Sequence, residues 1–251
     1  MTEKRLRLAV DDTGAPEIFH SVQGEGPSLG APRAFIRLSG CNLHCKWCDT
    51  AYTWNWIGTA FQHEGGTKYD LKSQMVSRTP GEIAECVAVF QPIGIVITGG
   101  EPLLQKERLP AVIDAIKSAC GPVWVEIETN GTILPGNELS ERVNQFNVSP
   151  KLTHSGNEPA FTTENERLAD FGRMPNAFFK FVIATPEDLE EVTGLARRYK
   201  LSPDRIYLMP LGTDSVTVRK RMDWLVPLCL KYGYRLTDRL HIHLFGDTRG
   251  T

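Results

Sequence analysis

A chain of 251 residues is long enough to bury one substantial core, and a formal net charge of -2 gives no electrostatic reason to expect a nucleic-acid partner. No apolar run approaches the roughly 18 residues of a membrane-spanning helix, and the N-terminal MTEKRLRLAVDDTG lacks the apolar stretch of a secretion signal. The expectation is a cytoplasmic protein of one domain, 1–251, whose scattered cysteines Cys86, Cys120 and Cys229 are buried thiols in a reducing compartment.

In chain order, EIFHSV (Glu17 to Val22) alternates weakly and leads into QGEGPSLGAPR, rich in the residues that favour turns and close backbone approach. AFIRL (Ala34 to Leu38) reads as a strand that delivers Arg37 just ahead of SGCNLHCKWCDT. There Cys41, Cys45 and Cys48 stand at C-x3-C-x2-C spacing with no fourth cysteine nearby. Thiolates this close on a loop can converge on one metal centre. Three of them would leave one iron of a 4Fe-4S cluster with an open position, as in sites that do chemistry. A structural zinc knuckle is the alternative, and it needs His44 or His63 as a fourth ligand. The following AYTWNWIGTAFQHEGGTKYDLKSQM reads as an irregular, aromatic insertion that covers something.

From Thr79 the pattern becomes regular. TPGE opens a helix through about Phe90 with a capping Thr and a first-turn Pro, and a buried strand GIVIT then ends in GGEP. Helix Lys106 to Ala119 carries Leu109, Val112, Ile113 and Ile116 on one face, before strand VWVEIE and the turn TNG. A short helix near Glu138 to Gln145 precedes FNVSPK, and a less regular segment runs from Leu152 to Pro175. Strand AFFKFVI, helix Pro186 to Tyr199, strand RIYLMPLG and a helix of roughly Val216 to Tyr232 follow, the last interrupted by Pro227 and stopped by Gly233. HIHLFG is expected as a closing strand.

Alternating strands and helices imply an α/β fold with a parallel sheet and right-handed crossovers. About six strands are too few for a complete barrel of eight, so the expected architecture is an open, partial (β/α) barrel with an irregular insertion after the cysteine loop. Ligands gather at the C-terminal ends of such strands, where the cysteine loop, GGEP, ETNG, SPK and MPLG all fall. In Thr98-Gly99-Gly100-Glu101-Pro102 the glycines would let backbone approach a ligand, and the Glu could accept from an ammonium; a plain strand-to-helix turn is the alternative.

The cysteine spacing with Trp47 before the last cysteine, followed by GGEP, resembles the signature of radical S-adenosylmethionine (SAM) enzymes. HSVQGEGPSLGAPRAFIRLSGCNLHCKWCDT, continued through TGGEP, ETNG, SPK and HIHLFG, resembles the 7-carboxy-7-deazaguanine synthase family over most of the chain. QGEG followed by FIRLSGC is the diagnostic part, since many radical SAM families share the cysteine spacing.

This resemblance implies a 4Fe-4S cluster on Cys41, Cys45 and Cys48, SAM on its open iron, and a radical ring contraction. The substrate would be 6-carboxy-5,6,7,8-tetrahydropterin and the product 7-carboxy-7-deazaguanine, with ammonia released. The residues implied for SAM are Trp47, Asp49, Gly100, Glu101, Glu128, Asn130, Ser149, Pro150, Lys151 and Met209. Those implied for the substrate are Val22, Gln23, Gly24, Glu25, Arg37 on its carboxylate, Thr98, His243 and Thr251, whose terminal carboxylate would close the site. Thr50 is implied as a ligand to Mg²⁺ on the substrate carboxylate. The implied partners are a reductase or flavodoxin-type electron donor and a second copy of the chain in a homodimer. Glycyl-radical-activating enzymes and non-enzymatic metal modules remain as alternatives, although the former give no reason for QGEG before FIRLSGC.

Overall fold

A computed structural model describes residues 5–251. Among the described residues ten strands form one sheet: β1 (Leu6–Ala9), β2 (Ile18–Val22), β3 (Pro32–Leu38), β4 (Met75–Arg78), β5 (Gly94–Gly99), β6 (Trp124–Thr129), β7 (Gln145–Val148), β8 (Ala177–Ile183), β9 (Ile206–Pro210) and β10 (Arg235–Leu236). Their order is β10-β9-β8-β7-β6-β5-β3-β1-β4, with β2 beside β3. The run from β3 through β5 to β9 is parallel throughout, and it comprises the six strands expected from the sequence. Two-residue β10 extends it in parallel, whereas β1, β2 and β4 pair antiparallel. The two ends of the sheet do not join, so the barrel is open.

Helices α1 (Leu71–Gln74), α2 (Pro80–Ala88), α3 (Leu109–Cys120), α4 (Asn137–Ser140), α5 (Arg167–Arg173), α6 (Asp188–Tyr199), α7 (Ser215–Tyr232) and α8 (Leu240–Phe245) complete the fold. None is long and apolar enough to cross a membrane. The capping box at Thr79 forms with both of its reciprocal bonds to Glu82, and α3 buries the four apolar residues of its expected face.

Five elements differ from the sequence reading. The insertion after the cysteine loop ends in α1 and β4, and β4 pairs along the whole length of β1. Both strands have four residues, too few for a period to emerge from the sequence. The helix expected to reach Gln145 is only the four-residue α4, because Gln145 already belongs to β7. Part of the segment expected to be less regular forms α5, and HIHLFG is the helix α8 instead of a strand.

Alternation along the strands separates two interiors. Ile36, Leu38, Ile95, Ile97, Val125, Ile127, Phe179 and Phe181 face the helices and form the apolar core. The intervening positions point into the barrel, where polar groups prevail. Arg33 Nε meets Glu126 Oε1 at 2.8 Å, and Gln145 and Asn147 both donate to Glu126 Oε2 at 3.2 Å. This satisfied buried network lies at the N-terminal half of the barrel, and a cavity opens above it.

Candidate active site

The C-terminal ends of the parallel strands surround one cavity, and Cys41, Cys45 and Cys48 line it together. The cysteine loop leaves β3 and packs against the end of β5. Gly99 adopts φ +136, and a β-carbon there would lie 2.0 Å from Leu38 O; at Gly100 it would lie 2.2 Å from Gly40 O. The two glycines of GGEP are therefore required by the neighbouring chain itself, before any ligand is considered.

Each sulfur has a donor aimed at it. Leu43 N donates to Cys41 Sγ (3.4 Å), Asn157 Nδ2 to Cys45 Sγ (3.2 Å) and Trp54 Nε1 to Cys48 Sγ (3.3 Å), while Thr50 Oγ1 lies 3.5 Å from Cys48 Sγ. Burial pushes all three thiols up, Cys48 to about 11, with the nearby Asp49 and Cys45 adding to its shift. Three cavity sulfurs, each with an N–H donor, would lose their protons to solvent on binding a cationic centre, so the donor set fits a cluster held by three cysteines. The histidines that a zinc knuckle would need are engaged elsewhere. His63 Nε2 lies 2.7 Å from Cys48 O, and His44 stacks on Phe61 with ring centroids 3.4 Å apart.

Of the residues expected at SAM, Trp47, Asp49, Gly100, Glu128, Asn130, Ser149, Lys151 and Met209 line the cavity. Trp47 Nε1 donates to His154 Nδ1 at 2.9 Å, Lys151 Nζ sits 5.7 Å from the Trp47 ring centroid, and Lys151 also donates to Ser149 Oγ. Two residues expected here do not face the cavity. Pro150 is buried behind its neighbours, and Glu101 is turned inward at 1% exposure. Its carboxylate accepts from Leu103 N (2.8 Å), Thr129 Oγ1 (2.9 Å) and Asn130 N (2.7 Å), tying ETNG to GGEP. Burial outweighs these donors and pushes Glu101 up to about 7. Buried and absent from the cavity lining, the carboxylate braces the loop through these three donors.

Of the residues expected at the substrate and its Mg²⁺, Val22, Gln23, Gly24, Glu25, Arg37, Thr50, Thr98 and Thr251 line the same cavity. Gln23 Nε2 donates to Glu128 Oε1 (3.1 Å) and Thr98 Oγ1 to Glu128 Oε2 (2.8 Å), which makes a continuous polar wall. Arg37 Nε donates to Glu17 Oε1 at 2.7 Å, and Tyr52 Oη donates to the same carboxylate. Glu17 thereby orients the guanidinium from behind.

His243 does not join them. It is exposed on α8 and its Nε2 lies 3.1 Å from Asp238 Oδ1, whereas His241 lines the cavity. Positions two apart on a helix diverge by about 200°, so the helix allows only one of the two histidines to face inward.

Several cavity residues escaped the sequence reading. Lys180 and Arg239 both pair with Glu25, and Arg239 also pairs with Asp49. Against the opposing effect of burial, these two cations hold the Glu25 carboxyl well below the usual range. Lys180 had a signal: a lysine inside the apolar run AFFKFVI is a buried charge that requires an acid. Arg239 had none, because its partners lie at the opposite end of the chain.

Comparison with known proteins agrees with this geometry. A family model described as a 4Fe-4S single cluster domain matches residues 22–163. The 7-carboxy-7-deazaguanine synthase of Pyrobaculum aerophilum is 32% identical over 93% of this chain and 95% of its own length. That of Rhodopirellula baltica is 33% identical over 94% of this chain and 87% of its own. The crystal structure of QueE from Escherichia coli has the same fold, with a TM-score of 0.63 at 23% identity, covering 94% of this chain and 95% of that one.

Proposed function

The chain belongs to the 7-carboxy-7-deazaguanine synthase family, and from that premise we propose that its cavity binds SAM beside 6-carboxy-5,6,7,8-tetrahydropterin and contracts the pterin ring to 7-carboxy-7-deazaguanine with loss of ammonia. The observation that carries this reading is the sharing of one cavity by three donor-supported cysteine sulfurs and the polar wall of Gln23, Thr98 and Glu128.

Cys41, Cys45 and Cys48 would hold the 4Fe-4S cluster, which when bound with SAM supplies the one-electron chemistry that starts hydrogen abstraction. Trp47, steadied by His154, offers a flat face for the adenine of SAM, while Asn130, Ser149 and Lys151 present polar groups suited to its ribose and carboxylate. Glu25, kept anionic by Lys180 and Arg239, accepts from the N–H-rich edge of the pterin, and Gln23 with Glu128 extends that edge. Arg37 directs its guanidinium at the substrate carboxylate. Phe19 and Phe35, stacked at 4.9 Å beside it, keep water from that part of the cavity.

Thr50 is suited to Mg²⁺ only if the substrate carboxylate and water supply most of the ligands, since the Asp49 carboxylate beside it is taken by Arg239. The reading includes a flavodoxin-type electron donor, a homodimer and a cytoplasmic location.

Protein reconstituted anaerobically with iron and sulfide, then given SAM, reductant and the carboxytetrahydropterin with and without Mg²⁺, tests the substrate by mass spectrometry of the product. Formation of deoxyadenosine only with some other acceptor would remove the pterin from the reading and leave the cysteine site intact.

A further inference from the structure

Two of the N–H donors aimed at the cysteine sulfurs are side chains from outside the cysteine loop. Trp54 comes from the insertion that follows it, and Asn157 from the stretch between β7 and α5. Trp54 is 2% exposed, and its ring is held edge-on by His44 and Phe61 at centroid distances of 5.1 and 6.2 Å. An indole N–H can only donate, and the acceptor it meets is Cys48 Sγ.

The Asn157 amide has a single workable orientation. Its Oδ1 accepts from His44 N at 2.9 Å, which fixes the NH₂ group on the side of Cys45 Sγ (3.2 Å) and Ser155 Oγ (3.0 Å). A flipped amide would set donor against donor at His44. Both groups therefore present hydrogen to sulfur and cannot present a lone pair.

A fixed donor stabilises a sulfur more as that sulfur becomes more negative, and an iron-sulfur cluster gains one negative charge when it takes up an electron. We infer that Trp54 and Asn157 set the reduction potential of the cluster, holding it less negative than the three cysteines alone would. The insertion after the cysteine loop thereby acquires a task, because it carries one of these two donors. This inference rests on the cluster proposed above.

The test is a mediated redox titration, read by electron paramagnetic resonance, of reconstituted protein without SAM. Wild type, Trp54→Phe, Asn157→Leu and Asn157→Asp are compared at equal iron and sulfide content. Losing one N–H donor is expected to lower the ratio of reduced to oxidised cluster about tenfold at the wild-type midpoint, which for a one-electron couple is a shift of about 59 mV to more negative potential. Asn157→Asp, which keeps the acceptor for His44 N and turns an anion toward the sulfur, shifts further in the same direction. Asn157→Leu decides the matter if Trp54→Phe fails to fold. Iron-replete Asn157 variants that titrate at the wild-type midpoint, or at a more positive one, overturn the inference alone. A wild-type chain that assembles no cluster overturns it together with the reading of the site.

Discussion

The imidazole of His241 lies so close over Gly24 that a β-carbon at that position would meet its Nδ1 at 2.1 Å. The same turn is joined to α8 by a hydrogen bond from Leu240 N to Gly24 O at 2.9 Å. Gly24→Ala should therefore cost about 1–3 kcal/mol through forced displacement of His241. In a His241→Ala background most of that cost should vanish, giving a coupling of at least about 1 kcal/mol in a double-mutant cycle measured by urea denaturation. Equal losses in the two backgrounds would show that the contact does not constrain position 24.

Arg37 is directed from behind by Glu17, itself 1% exposed. A lysine cannot reproduce the Nε bond while presenting a fork to a carboxylate. Arg37→Lys should raise KM for the carboxytetrahydropterin about tenfold or more, in line with the roughly 1.5–3 kcal/mol of a charged hydrogen bond, and leave iron content unchanged. An unaltered KM would take Arg37 out of substrate recognition.

The inward turn of Glu101 has a signature in pH. Burial raises its carboxyl from an ordinary value of 4.5 to about 7 in the folded chain, so folding takes up a proton between those limits. Its contribution is most favourable below the unfolded value. Stability is then lost as pH rises through the folded one and is level above it, a change on the order of 3 kcal/mol. Denaturation of the apoprotein at several pH values should show this slope in wild type and a flatter profile in Glu101→Gln, whatever constant offset the substitution adds. Parallel profiles would mean that Glu101 is ionised like an ordinary surface carboxylate.

The cysteines divide into two groups by position. Cys45→Ala removes a cavity sulfur and should leave reconstituted protein with little bound iron, while Cys120→Ala, at the last residue of α3, should bind as much as wild type. Iron and sulfide analysis after removal of excess reagent separates these outcomes. Equal iron in the two variants would detach the cluster from the C-x3-C-x2-C loop.

The sequence by itself determined the six parallel strands, the cysteine loop, and the positions of α2, α3 and α6. Each of these is written in neighbours: an apolar run, a capping residue three positions from its partner, sulfurs within eight residues of one another. It also brought most of the cavity's polar residues to notice, because they fall at strand ends.

Tertiary structure decided what those residues face. Glu101 became a brace because Thr129 and Asn130 reach it from the next strand. His241 instead of His243 entered the cavity because the chain coils at α8, and β4 became a strand because β1 supplied its partner. The charge relay of Glu25, Arg239 and Asp49 spans sequence separations of 214 and 190 residues. Periodicity and spacing report only on what lies within a turn or two of chain. Electrostatic partners so far apart are chosen by folding, when the cost of burying each charge selects the opposite charge that the fold brings within reach.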